Sequence, residues 1–228
     1  MNQTSRIYIQ NEDTKEFKEY QKLYDTENRI WVDNQDIPQA MKDAVVAIED
    51  KRFFDHNGVD WGRTLSAVAN LATGSDSYGG STITQQLIKN ITDDNEVSIT
   101  RKLREITKAL KLEQEYTKDQ ILEFYLNNIY FSNGYYGVGA AARGYFDKEV
   151  SELTVAEQVF IAAIPNNPTR YNPLTNYDNT VGRRDLILGK LYENDMINSM
   201  NYYTALDTQV VLAPVSYTHL RAHETRSN

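Results

Sequence analysis

The sequence predicts a mainly α-helical protein, and three observations carry that expectation. Apolar residues recur at intervals of three and four through most of the chain, short capping motifs open those stretches, and glycine or proline clusters close them. Six or seven helices are expected, with no internal repeat. At 228 residues, 40% hydrophobic and 25% charged, the chain suits one fair-sized globular domain, or one domain and a fragment of another.

Composition narrows the functional classes. The formal net charge is −8, from 24 Lys and Arg against 32 Asp and Glu, which argues against bulk nucleic-acid binding. Any anionic ligand must therefore be met by local positive charge. There is no cysteine, so neither a disulfide framework nor a thiolate metal site is available, and the compartment stays open. Residues 1–20 are polar and lack an apolar leader segment, and the longest uninterrupted apolar run is six residues, 159–164, too short to span a bilayer. As given the chain reads as soluble, with any membrane anchor lying outside it.

Residues 1–35 mix apolar and charged stretches and reach Arg-Ile-Trp-Val at 29–32, an irregular lead-in with a short strand or two. A helix is expected from Asp36, which offers a cap with Gln39 three residues on and Pro38 in the first turn; Met41, Val45 and Ile48 carry it to Glu49. Residues 59–73 place Trp61, Leu65, Val68 and Ala72 four, three and four apart, with Arg63, Ser66 and Asn70 between them. That amphipathic helix suits either a core face or a membrane surface. Residues 74–80 (GSDSYGG) break the pattern, and Ser81 is the expected cap of the next helix. There Ile83, Leu87 and Ile91 form an apolar stripe, while Ser81, Gln85 and Lys89 line another face.

After an acidic loop at 93–97, Ser98 opens a helix with Ile99, Leu103, Ile106 and Leu110 on its apolar side and Arg101, Glu105 and Lys108 opposite. Thr117 with Gln120, and Thr154 with Glu157, form capping boxes for two further helices, the second stopped by Pro165. Between these helices lie the glycine-rich residues 132–139 and an alanine-rich segment, and a loop stiffened by Pro168 and Pro173 follows them. Residues 178–198 read as one more helix. The tail, 216–228, has no apolar periodicity; His219 and His223 stand four apart as in a helical zinc pair, but no third ligand accompanies them. It reads as a translated cloning remnant, outside the fold.

Two features of this layout point to chemistry. Glu49 and Asp50 follow an apolar helical run and precede Phe53, Phe54, His56 and Gly58. A carboxylate at the edge of a core is partly desolvated, which suits it to proton exchange near neutrality, although end-of-helix charges are more often simply solvated. Residues 101–111 hold five basic side chains (Arg101, Lys102, Arg104, Lys108, Lys111) and one acid, Glu105, a local +4 in a chain of −8. Arg101 and Glu105 are either an ordinary surface pair or part of a phosphate holder beside a working carboxylate.

In chain order, EDKRFFDHNG (49–58), GGSTITQQLIKN (79–90), RKLREITKALKLE (101–113), KDQILEFYLNNIYF (118–131) and LTVAEQVFIAAIPNNPTRYNP (153–173) resemble the five motifs of the glycosyltransferase family 51 domain. That domain is the peptidoglycan glycosyltransferase module of bifunctional penicillin-binding proteins and of monofunctional transglycosylases. The resemblance covers residues 29–173 and implies a lysozyme-like, mainly helical fold with a globular head and a smaller jaw that dips into the membrane. It divides the chain into a lead-in (1–35), the glycosyltransferase domain (36–177, jaw about 59–78), and a helix and linker (178–215) toward a missing domain. It also implies the extracytoplasmic face of the bacterial membrane, and polymerisation of lipid II into glycan strands with undecaprenyl pyrophosphate leaving.

On that resemblance Glu49 is the general base that takes the proton of the attacking sugar 4-hydroxyl, and Glu105 matches the second essential carboxylate. Lys89, Arg101 and Lys102 supply charge to the leaving diphosphate, which needs cations rather than a strong acid. Ser81, Thr82, Gln85, Gln86 and Asn90 match positions that hold sugar and phosphate, and Asp50, Phe53 and His56 complete the first motif around the substrate. Direct displacement inverts the anomeric centre, with the two carboxylates well apart. No cofactor is required, Mg or Mn stimulates only on the diphosphate, and no residues form a dedicated metal cage. Moenomycin-type phosphoglycolipids are the implied inhibitors. Family members commonly carry glycine where Ser132 and Asp147 stand, and often an Arg-Ala pair where residues 64–67 read TLSA. No Ser-x-x-Lys or Lys-Thr-Gly signature of a transpeptidase appears, so such a domain would belong to a longer parent. Two rivals stay open: a lytic enzyme on the same scaffold, and a non-catalytic lipid II-binding module.

Overall fold

The computed structural model of the protein describes residues 6–10, 17–22, 29–72, 80–92 and 99–214. Strands β1 (Arg6–Gln10) and β2 (Phe17–Lys22) form an antiparallel pair whose register shifts between Ile7 and Tyr8. Nine α-helices follow among the described residues: α1 (Gln39–Glu49), α2 (Trp61–Ala72), α3 (Ile83–Thr92), α4 (Ile99–Glu115), α5 (Lys118–Asn128), α6 (Val138–Phe146), α7 (Val155–Ala162), α8 (Tyr177–Glu193) and α9 (Ser199–Asp207). The fold is mainly α, as expected, with more helices than the sequence pattern resolves.

The helix starts show where local chemistry decided the outcome. The capping boxes Thr117/Gln120 and Thr154/Glu157 form reciprocally and open α5 and α7. α1 begins three residues later than expected, because Asp36 closes a 3-10 turn (Asn34–Asp36) and Pro38 occupies the N-cap with extended backbone. Thr82, not Ser81, caps α3: its hydroxyl accepts from the Gln85 N–H at 3.1 Å and its own N–H donates to Gln85 Oε1 at 2.9 Å. The helix expected over 178–198 is α8, which stops at Glu193 before Asp195 takes a φ of +55°; a further helix not expected from the sequence, α9, follows, with Asn198 capping it by accepting from the Asn201 N–H at 2.8 Å.

α1 packs against α7 and α8, and α3 packs against α4 and α5. The C-terminal half of α7 is apolar and buried, through Val159, Phe160, Ile161 and Ala162, which accounts for its run of apolar residues. α4 departs from its expected facing. Leu103 is 59% exposed, whereas Glu105 and Ala109 are buried, so the polar side of the helix faces inward. On α2 the apolar stripe is uncovered where it is described, with Trp61 55% and Leu65 67% exposed.

Three of the positive-φ backbone positions bear on the sequence reading. Gly58 sits at +87°, and a Cβ there would lie 2.8 Å from the Ala109 carbonyl oxygen. Ser132 and Asp147, where relatives of the resembled family commonly place glycine, stand at +69° and +53°. All but Gly80 of the expected glycine-rich break at 74–80, the acidic loop at 93–97 with Ser98, and the tail with His219 and His223 lie outside the described residues. No helix of the described residues is long and apolar enough to cross a membrane.

Candidate active site

The C-terminus of α1 delivers Glu49 to the edge of the core, since Val45 and Val46 one turn back are buried and Asp50 leaves the helix inward. Glu49 is half-buried; its Oε2 accepts from Gln86 Nε2 at 3.2 Å, and its Oε1 is buried with no hydrogen-bond partner. An anionic oxygen without a donor is costly to bury and keeps its lone pairs for an incoming proton. α3 lies alongside, so that Gln85, Gln86, Lys89 and Asn90 line the same groove. The inward face of α4 adds Glu105.

That groove has a volume of about 400 Å³ and is lined by Glu49, Ser81, Gln85, Gln86, Lys89, Asn90 and Glu105 on one side, with Ile129, Tyr130, Pro165, Asn166 and Pro168 completing it. Glu105 is only 5% exposed and is held by two cations: Arg101 Nη1 donates to Oε2 at 2.8 Å and Lys102 Nζ donates to Oε1. Lys102 also reaches Ser81 Oγ at 2.9 Å, tying α4 to the start of α3. Lys89 and Arg101 meet again with Arg104 and Lys108 in a narrow adjoining cleft, so this end of the groove is cationic in an acidic protein. Gln85 Nε2 is a buried donor with no partner, a second polar atom left for a ligand.

Six of the residues expected at the substrate do not line the groove: Arg101 and Lys102 reach it only through Glu105 and Ser81, and four others lie behind its wall. Asp50 is fully buried and accepts from the Ile83 N–H at 3.0 Å, His56 Nε2 at 3.0 Å and Arg63 Nη1 at 3.5 Å. It latches α1, α2 and α3 together behind the groove wall. His56, bound to Asp50, instead lines a second surface depression with Arg52, Asp60 and Trp61. Phe53 is buried beneath Lys118, whose Nζ sits 4.4 Å from its ring centroid, and the Thr82 hydroxyl is used up in capping α3 and donating to the Gly58 carbonyl at 2.6 Å.

Sequence reading missed the opposite wall. Tyr130, 38% exposed, and Asn166 lie within the fourth and fifth motifs but were not singled out as site residues, because a groove wall built from loop residues has no periodicity. Tyr125 was also missed; its hydroxyl donates to Gln86 Oε1 at 3.0 Å from a fully buried position. Burial, and then the negative Glu49 and Asp50 nearby, push its phenol well above the ordinary range. Among the described residues no group of three or more His, Asp or Glu side chains is placed to hold a metal ion.

Comparison with known proteins identifies the family. A family model described as Transglycosylase matches residues 13–192. Penicillin-binding protein 1F of Bacillus subtilis is 43% identical over 203 residues, covering 89% of this chain and 28% of the relative, and penicillin-binding protein 4 of the same organism is 42% identical over 189 residues, covering 82% and 30%. The chain thus spans under a third of the length of these relatives. The crystal structure of penicillin-binding protein 1A from Haemophilus influenzae superposes with a TM-score of 0.51 at 23% identity, covering 94% of this chain and 22% of that one, a likeness of fold. The mainly helical, lysozyme-like architecture implied by the motifs is therefore the one adopted. The chain belongs to the transglycosylase family, the glycosyltransferase family 51 whose five motifs it carries in order.

Proposed function

We propose that this chain polymerises lipid II into peptidoglycan glycan strands, inverting the anomeric centre and releasing undecaprenyl pyrophosphate. One observation carries the reading: a single groove joins Glu49, with one free carboxylate oxygen, to Lys89 and to Glu105, whose carboxylate is held from the groove's margin by Arg101 and Lys102. The acceptor's 4-hydroxyl loses its proton to Glu49 as its oxygen attacks the anomeric carbon. The bond to the diphosphate breaks with the electron pair, and the added negative charge is met by cations already in place. Buried Glu105 orients Arg101 and Lys102 toward that charge, and Gln85 Nε2 donates to a substrate oxygen. Asp50, His56, Phe53 and Thr82 hold the groove's shape from behind.

A divalent ion is not required in this reading, and Mg or Mn stimulates only through the substrate's own diphosphate. Partners are lipid II, the growing strand, the membrane surface met by Trp61 and Leu65 at the extracytoplasmic face, a transpeptidase domain in a longer parent, and moenomycin-type inhibitors that occupy the groove. A hydrolase on the same scaffold has no diphosphate for the cationic end to hold. The test is to incubate the protein separately with labelled lipid II and with finished peptidoglycan. Polymer from lipid II with untouched peptidoglycan supports transfer; release of fragments from peptidoglycan alone shows a lytic enzyme.

A further inference from the structure

We propose that Tyr125 is a positioning residue for the base, fixing the Gln86 amide so that it holds one oxygen of Glu49 and leaves the other open to the acceptor's proton. The inference rests on the reading of Glu49 as base. Three helices contribute one group each: α5 gives the Tyr125 hydroxyl, which donates to Gln86 Oε1 at 3.0 Å, and α3 gives Gln86 Nε2, which donates to Glu49 Oε2 of α1 at 3.2 Å. An ionised carboxylate only accepts, so Gln86 must face it with its NH₂ end. An amide turned over would set its carbonyl oxygen against the carboxylate. The phenol removes that alternative, since it supplies the donor that the carbonyl end needs.

The phenol is suited to this task because it stays protonated. Burial and the neighbouring carboxylates hold it well above its ordinary range, so it donates throughout the pH range in which the base is ionised. Oε1 of Glu49, by contrast, has no partner. The chain of bonds therefore distinguishes the two oxygens: one is anchored, the other is available. Removing the hydroxyl leaves Gln86 free to turn and the carboxylate free to swing from its place.

The experiment is steady-state polymerisation of detergent-solubilised lipid II by wild type, Tyr125→Phe, Gln86→Ala and the double variant, with thermal melting of each. Tyr125→Phe is expected to lower kcat about tenfold with KM changed less than about twofold, and to move the acid limb of the kcat profile to higher pH. In the Gln86→Ala background the same substitution should change kcat by less than about twofold, since the group it acts through is gone. An unchanged kcat in Tyr125→Phe, or an equal fall in both backgrounds, overturns the proposal. If Tyr125→Phe alone does not fold, the double variant, which removes both hydrogen-bonding partners, is compared with Gln86→Ala; a kcat differing by more than about threefold overturns it. A wild type that makes no polymer overturns the glycosyltransferase reading itself, and is distinguished from the other outcomes by appearing in the parent protein.

Discussion

Single residues decide whether the groove can work. Glu49 combines a half-buried carboxylate, one bond from Gln86 and one free oxygen, and none of the three is visible without the partner helices. The acidic pair at 49–50 was legible in the sequence; which of the two faces the ligand was not, because Glu49 and Asp50 differ by one position at a helix end and point to opposite sides of the wall. Backbone strain is also a residue-scale property. Asp147 ends α6 at φ +53°, is 86% exposed, and has only a distant Arg143 partner, at 3.9 Å, for its carboxylate. Glycine takes that conformation without a Cβ penalty, so Asp147→Gly is expected to stabilise the fold by about 0.5–1 kcal/mol, read as a rise in Tm. A fall in Tm would show that the side chain contributes more than its backbone costs.

At the scale of elements, sequence reading succeeded where short-range chemistry sets the structure. The boxes at Thr117 and Thr154 satisfy their own helix ends and needed no tertiary information. It failed on α4, where the apolar pattern placed Leu103 inward; the helix instead turns Arg101 and Glu105 to a polar groove, and hydrophobic periodicity locates an apolar interior only. α2 depends on Asp60, whose Oδ1 accepts from the Arg63 N–H at 3.1 Å and whose carboxylate takes a fork of bonds from Arg52 at 2.9 and 2.7 Å. Burial alone would raise the Asp60 pKa, but these donors and the two arginine charges outweigh it and hold the carboxyl below its usual range. Its folded-state pKa thus lies under the unfolded one, so the stabilisation is present above about pH 4 and is lost as pH falls through that region. Asp60→Asn should therefore lower Tm at pH 7, and by progressively less as pH falls below about 4, in melts at matched ionic strength; an equal loss at every pH would assign the effect to geometry rather than charge.

For the whole molecule, the five ordered motifs locate the groove because together they supply both of its walls and their supports. What they do not separate is contact from support: Ser81, Gln85, Gln86, Lys89, Asn90 and Glu105 line the groove, while Asp50, Phe53, His56 and Thr82 sit behind it. Both groups sit in the same motifs, and only the packing of α1, α3 and α4 tells them apart. The acidic net charge of −8 likewise conceals a cationic end built from residues 89–108, brought together by the antiparallel fold-back of α3 and α4. The most direct measurement is the rate of lipid II polymerisation by wild type, Glu49→Gln and Glu105→Gln under one set of detergent conditions. Loss of the general base should slow Glu49→Gln by at least about a hundredfold while the variant still binds lipid II. A Glu49→Gln protein that polymerises within a few-fold of wild type would contradict the account.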